Sequence, residues 1–188
     1  MHRPVHVRHP AFDHAIELLR EGRTGESGYG RRVALLLTIP TFDDPVARDI
    51  RRSVTGALYV VRTVWQRALD TSFARPAARA LQLGNRSLNV ALELMSNRLP
   101  TLVSSKVDVD VEALDSLLAT LASTTVACHV EQPEPPLDAT IFELTLGSDL
   151  TEHRYRWTAD APAGWEPLGL FSSLLIRLVD VPAGVGPR

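Results

Sequence analysis

The sequence predicts an α+β fold: a long antiparallel helical hairpin packed with a small antiparallel sheet and a C-terminal helix. Apolar residues recur at alternating spacings of three and four along two long stretches, the signature of paired helices. Further on, residues 140–146 and 152–158 alternate apolar with polar around Gly147-Ser148-Asp149, the signature of a hairpin. A last Leu-rich amphipathic segment supplies a helix to cover that sheet. The predicted organisation is an arm, short helix and strand over 1–44, the helical hairpin over 45–99, and a small α+β unit over 100–181, all within one domain.

With 45% hydrophobic and 22% charged residues in 188, the chain has an ordinary globular composition, which excludes a disordered, collagenous or disulfide-stapled class. No apolar run approaches the roughly 18–20 residues that span a bilayer, so no membrane partner is expected. The N-terminus carries His and Arg and no apolar core, so no signal peptide is expected. A single cysteine, Cys128, cannot form an internal disulfide, which points to a reducing cytoplasm.

Taken in order, Pro10 fits the first turn of a helix running to about Arg20, with Phe12, Ile16 and Leu19 at helical spacing. Glu21 to Gly30 is loop chemistry. Val33 to Ile39 is aliphatic and β-branched, closed by Pro40, and reads as a buried strand, with a helix segment not excluded by its length. From Pro45, the positions Ala47, Ile50, Val54, Ala57, Val61, Val64 and Ala68 form a heptad-like seam, with Asp43 or Asp44 as its acidic cap. From Pro76, the positions Ala77, Leu81, Gly84, Leu88, Ala91, Met95 and then Arg98 or Leu99 repeat it, and the short connection makes the two helices antiparallel. Leu102 to Val107 reads as a strand, Asp110 as the cap of a helix bearing Leu114, Leu117, Leu118 and Leu121, and Thr124 to Val130 as another strand. Pro133, Pro135 and Pro136 form a stiff connector. The hairpin of strands follows, then a helix from about Pro167 to Val179 with Leu168, Phe171, Leu174, Leu175 and Leu178 on its apolar side.

The C-terminal third, with its Leu-rich helix, Asp138-Ala139-Thr140, a strand, Tyr155-Arg156-Trp157 and Trp165-Glu166-Pro167-Leu168, resembles small uncharacterised α+β proteins of GC-rich bacteria. Some of those sit in toxin–immunity or other accessory loci. The resemblance covers residues from about 108 to 180 and implies aromatics and leucines that fill a core. It implies no catalytic residues. Ala139 stands where those proteins more often carry Gly.

Charge is unevenly spread. Residues 1–100 hold 15 Arg against 9 acidic residues, and residues 101–188 hold 5 basic against 13 acidic ones. On a helix from Pro45, Arg48, Arg51, Arg52 and Arg62 would share a sector of about 100°. That arginine face is the expected partner-binding surface, fitted to an acidic protein surface. A nucleic acid is the alternative partner for the same face. The second helix carries an extra apolar stripe, Leu83, Val90 and Leu94, which leads to the expectation of a homo-oligomer built on the helical hairpin.

Motifs for chemistry are missing. There is no phosphate loop, dinucleotide fingerprint, nucleophile elbow or zinc-protease pattern. His2, His6, His9 and His14 lie on what reads as a solvated arm, and Cys128 reads as a small buried residue. No metal, cofactor or catalytic residue is expected. The function this predicts is a non-enzymatic protein-interaction module, an adaptor or immunity-type protein, with a nucleic-acid-binding accessory protein as the alternative.

Overall fold

A computed structural model of the chain describes residues 10–22, 30–72, 99–132, 136, 138–148 and 151–180. The elements are α1 (Pro10–Glu21), β1 (Gly30–Ile39), β2 (Val46–Ser53), β3 (Leu58–Trp65), α2 (Arg67–Ser72) and β4 (Leu102–Val107). They continue with α3 (Val111–Ala122), β5 (Ile141–Ser148), β6 (Thr151–Thr158) and α4 (Glu166–Asp180). The six strands form one antiparallel sheet in the order β4-β3-β2-β1-β5-β6. Among the described residues no helix is long and apolar enough to cross a membrane.

Both faces of the sheet are covered. On one, Ala15, Ile16 and Leu19 of α1 pack on Leu35, Leu37, Ile39, Ala47 and Trp65. On the other, α3 and α4 bring Leu114, Leu168, Phe171 and Leu175 against Leu36, Ile50, Val60, Leu144 and Trp157. β1 is the middle of this arrangement, which is why its sequence is a continuous aliphatic run rather than an alternation. A bulge between Arg32 and Ala34 shifts the register against β2. It turns Arg32 onto the α1 face, whereas strict alternation would set it on the same face as Ala34.

The fold is sheet-dominated, which overturns the expected helical hairpin. Residues 45–68 are the antiparallel pair β2 and β3, with Ile50 opposite Val60 and Ala47 opposite Thr63, followed by the short α2. The positions that suggested a helical seam divide between environments: Ala47 and Val61 face α1, Ile50 faces α3 and α4, and Val54 is exposed at the hairpin tip. Two physical facts explain the misreading. A strand buried on both faces loses its period of two, so a spacing of three and four emerges by chance. The segment also holds Val46, Ile50, Val60, Val61, Thr63 and Val64, whose branched side chains favour strands. Gly56, at φ +87°, turns the chain, and its N–H donates to Ser53 O at 3.0 Å. The second expected helix, with Leu83, Val90 and Leu94, lies outside the described residues, as do His2, His6 and His9.

α1, β1, β4, α3, β5, β6 and α4 fall where the sequence placed them. Asp110 caps α3 by accepting from Glu112 N at 3.0 Å and Ala113 N at 3.1 Å. The segment 124–130 is not a strand, and Cys128 on it is exposed rather than buried. The β5–β6 hairpin depends on Gly147, at φ +106°, where a Cβ would stand 1.9 Å from Thr151 O. Gly56 has open space around its missing Cβ. Gly56→Ala is therefore expected to cost about 1–2 kcal/mol, and Gly147→Ala more than about 3 kcal/mol or the fold itself. Urea unfolding of the two variants measures the difference, and equal losses would contradict this account of the hairpin.

Candidate functional site

The four arginines expected to form one surface stand on β2 and β3 and point to both sides of the sheet. Arg48 is 3% exposed and donates from Nε to Asp180 Oδ1 at 3.2 Å, from Nη2 to Asp180 Oδ2, and from Nη1 to Thr38 Oγ1 at 3.2 Å. Arg62, its cross-strand neighbour, reaches the same Asp180 at 3.1 Å. These two cations hold the last residue of α4 against the sheet and offset an acidic group at a helix C-terminus. Arg52 lies on that side too, donating to Gly56 O at 3.1 Å, with Asp115 at 3.9 Å. Arg51 points the opposite way, to the α1 face. The shared helical sector does not exist, because adjacent strand residues face apart.

On the α1 face, two buried carboxylates flank β1. Asp49 on β2 receives Arg32 through both oxygens at 3.1 and 3.2 Å, and Arg51 Nε at 2.8 Å. Glu143 on β5, 2% exposed, receives Arg20 of α1 through both oxygens at 2.7 Å, with Arg154 Nε at 3.8 Å. The hydrogen bond to Glu143 is the main reason the Arg20 guanidinium is held above its ordinary value; burial opposes it. Arg32 also donates to Glu21 O at 3.2 Å, which secures the C-terminal end of α1. Gly22, at φ +61°, closes that end: a Cβ there would lie 2.7 Å from both Arg32 Nη2 and Asp49 Oδ2. Elsewhere, burial of Arg67 pulls its guanidinium below its ordinary value, and it donates to Pro40 O at 3.2 Å. In these contacts the arginines meet carboxylates and backbone carbonyls of the chain itself, which is a structural role.

Irregularities gather instead at the corner where β5 and β6 meet the start of α4. Phe142 and Trp157 stack at 5.7 Å with 12° between planes, and Trp165 stands edge-on to Trp157 at 6.5 Å. Trp165 donates its indole N–H to Ala127 O at 2.8 Å, so this aromatic wall is fixed. Gly169 lets α4 close on the loop after β6, since a Cβ there would come within 2.7 Å of the Ala161 Cβ. The result is a hollow of about 250 Å³ with Phe142 and Trp157 in its wall, Asp160 and Glu166 at its rim, and Leu170 and Ser172 on its helical side.

Three features mark this hollow. Ala159 beside it has φ +56°, the one non-glycine residue in the left-handed region among the described residues. Ser172 is 2% exposed, and its Oγ is the one buried side-chain polar atom without a partner among them. Leu170 is 60% exposed, with Leu174 one turn on at 40%. A larger hollow of about 400 Å³ between α3 and the sheet has a mostly apolar lining and none of these marks. Sequence reasoning did not single out the corner, though one signal was present. Ser172 interrupts the stripe Leu168, Leu175, Val179 at core spacing, a polar residue where packing asks for an apolar one.

Among the described residues no three His, Cys, Asp or Glu side chains converge as a metal site would require. No family model, curated protein or solved structure matches the chain.

Two outcomes are expected from these contacts. Arg20→Leu leaves Glu143 buried without its bidentate partner and should cost about 3 kcal/mol, with Arg20→Leu/Glu143→Leu recovering most of it; urea unfolding of both variants checks this. Ser172→Ala removes an unsatisfied buried hydroxyl and should leave stability unchanged or raise it by up to about 1 kcal/mol. A loss above that size on thermal unfolding would show that the hydroxyl is satisfied within the chain.

Proposed function

We propose that the chain is a protein-recognition module, an adaptor or immunity-type protein that acts by surface complementarity, with the corner hollow as its anchor point. The observation that carries this reading is the exposed Leu170 on the ledge of a hollow walled by Phe142 and Trp157 and rimmed by Asp160 and Glu166. Recognition surfaces concentrate affinity where one apolar side chain enters a water-excluding pocket with a polar rim. The fixed aromatic wall offers such a pocket without a rearrangement cost. The two carboxylates select for a cation beside the entering side chain.

The occupant is therefore a branched or aromatic side chain flanked by Lys or Arg on a partner protein. Ser172 Oγ supplies a polar contact to a group that enters fully. The acidic partner anticipated for Arg48, Arg51, Arg52 and Arg62 finds no contiguous cationic face, since these side chains divide between the two sides and meet carboxylates of the chain itself. The same geometry removes support from phosphate tracking along them.

A random peptide library panned on the protein tests the reading, with Leu170→Arg as counter-target. Enriched peptides should pair an apolar anchor with a neighbouring cation, bind the variant at least tenfold more weakly, and perturb tryptophan fluorescence through Trp157. No enrichment, or equal binding to Leu170→Arg, would overturn the proposal.

A further inference from the structure

The sheet ends on one side at β6, and the phase of its hydrogen bonds is fixed by the structure. Ala159 N donates to Thr140 O at 3.0 Å, and these residues continue the β5–β6 register in which Phe142 faces Trp157 and Leu144 faces Tyr155. Bonded and non-bonded pairs alternate in an antiparallel ladder. Residues 151, 153, 155 and 157 therefore bond inward to β5, and the N–H and C=O groups of Glu152, Arg154, Arg156 and Thr158 point outward. One of these is already engaged: Gln132 donates its side-chain amide to Arg156 O at 2.5 Å. That contact closes one end of the edge and leaves Thr151 to Tyr155, centred on His153, as the stretch with no strand on its outer side among the described residues.

We propose that this stretch pairs antiparallel with the same stretch of a second copy of the chain, about a two-fold axis through His153. The sheet then runs on from one copy into the other. In this register Glu152 stands opposite Arg154 of the second copy, and Arg154 opposite its Glu152. Both are outward-bonding residues, so each pair exchanges two backbone hydrogen bonds. Both side chains lie on the α1 face and are exposed, at 42% and 47%, and Arg154 Nη2 is 3.7 Å from Glu152 Oε2 within the chain. The two-fold arrangement extends that contact into a ladder of alternating sign across both copies.

Charges on an edge strand normally repel another strand. Here the alternation of sign at positions 152 and 154 makes one register attractive, while pairing 154 with 154 or 154 with 156 would oppose arginines. The other edge of the sheet, β4, offers no such match. It is shorter, its one charged residue is Lys106, and that ammonium sits 5.1 Å from the centre of the Tyr59 ring. The corner hollow contributes nothing to this argument, so the two proposals stand or fall separately.

Light scattering on the full chain, with charge reversals, tests the pairing. The wild-type protein should elute at micromolar concentration with about twice its 20.7 kDa mass. Glu152→Arg places arginine opposite arginine, and Arg154→Glu places glutamate opposite glutamate, so each variant should be monomeric with an unchanged circular dichroism spectrum. Mixed in equal amounts, the two variants should regain a dimer containing one of each, resolved by native mass spectrometry. A monomeric wild type, a Glu152→Arg variant that remains dimeric, or a mixture of folded variants that stays monomeric would each overturn the proposal. If Arg154→Glu fails to fold beside Glu143, the Glu152→Arg result decides alone.

Discussion

Two carboxylates buried on the same face of the sheet, one on each side of β1, hold the architecture together. Asp49 and Glu143 lie on the strands that flank β1, and between them they receive Arg20, Arg32 and Arg51 at hydrogen-bonding distance. Placing a carboxylate in such a position is unfavourable unless its oxygens are fully occupied. Glu143 finds its partner on α1, and Asp49 finds Arg32, whose other bond reaches the last carbonyl of that helix. The helix is therefore located by charge geometry, and its apolar residues complete the seal. A hydrophobic contact alone is non-directional and would fix the position of α1 less sharply. The bulge before Ala34 belongs to the same arrangement, because it puts Arg32 on the side where Asp49 waits.

Much of the fold was legible wherever an element has one wet side. The hairpin of β5 and β6 shows its period of two because Glu152, Arg154 and Arg156 of β6 are exposed while Tyr155 and Trp157 between them face the core, and α1, α3 and α4 show theirs because each covers the sheet with one stripe. β1 was legible for the opposite reason, as an aliphatic, β-branched run bounded by a loop and Pro40, though its length alone did not exclude a helix segment. β2 and β3 defeated the reading because they combine burial on both sides with internal arginines. Ala47-Arg48-Asp49-Ile50 is buried throughout, so its polar residues do not mark a surface. A pattern method reads Arg48 and Asp49 as solvent-facing and then seeks a helix that can present them together. The ring of branched residues around Gly56 was the better signal, and local preference should have outweighed spacing there.

For the site, the arginines stood out in the sequence, but the corner hollow did not. The arginines are notable residues, yet Arg48 and Arg62 meet Asp180 on α4 and Arg52 lies near Asp115 on α3, elements distant in sequence, while Arg51 meets Asp49 on its own strand. Asp180 lies 132 residues beyond Arg48, and no local pattern connects them. The corner hollow combines Phe142, Trp157, Ala159 and Ser172 from two strands, a loop and a helix. Each reads as ordinary core or turn material until the fold brings them together. Ser172, a polar residue on the stripe of Leu168, Leu175 and Val179, was the one signal present, and the sequence reading passed over it.

The order of strands has a consequence for how the chain comes together in time. β1, β2 and β3 are successive and pair with their nearest neighbours, and β5 and β6 form a second local hairpin. The join between these two halves is the β1–β5 ladder, where Leu37 meets Glu143 and Ile39 meets Ile141. Loop closure over such a separation is entropically costly and slows folding relative to local pairing. Arg20 and Glu143, 123 residues apart, meet across the same join. Until it closes, β1 has one open edge, and the most aliphatic strand of the protein is then its most adhesive segment. Closing this join is thus also the step that removes the hazard, and the carboxylate it brings, Glu143, completes the anchorage of the first helix.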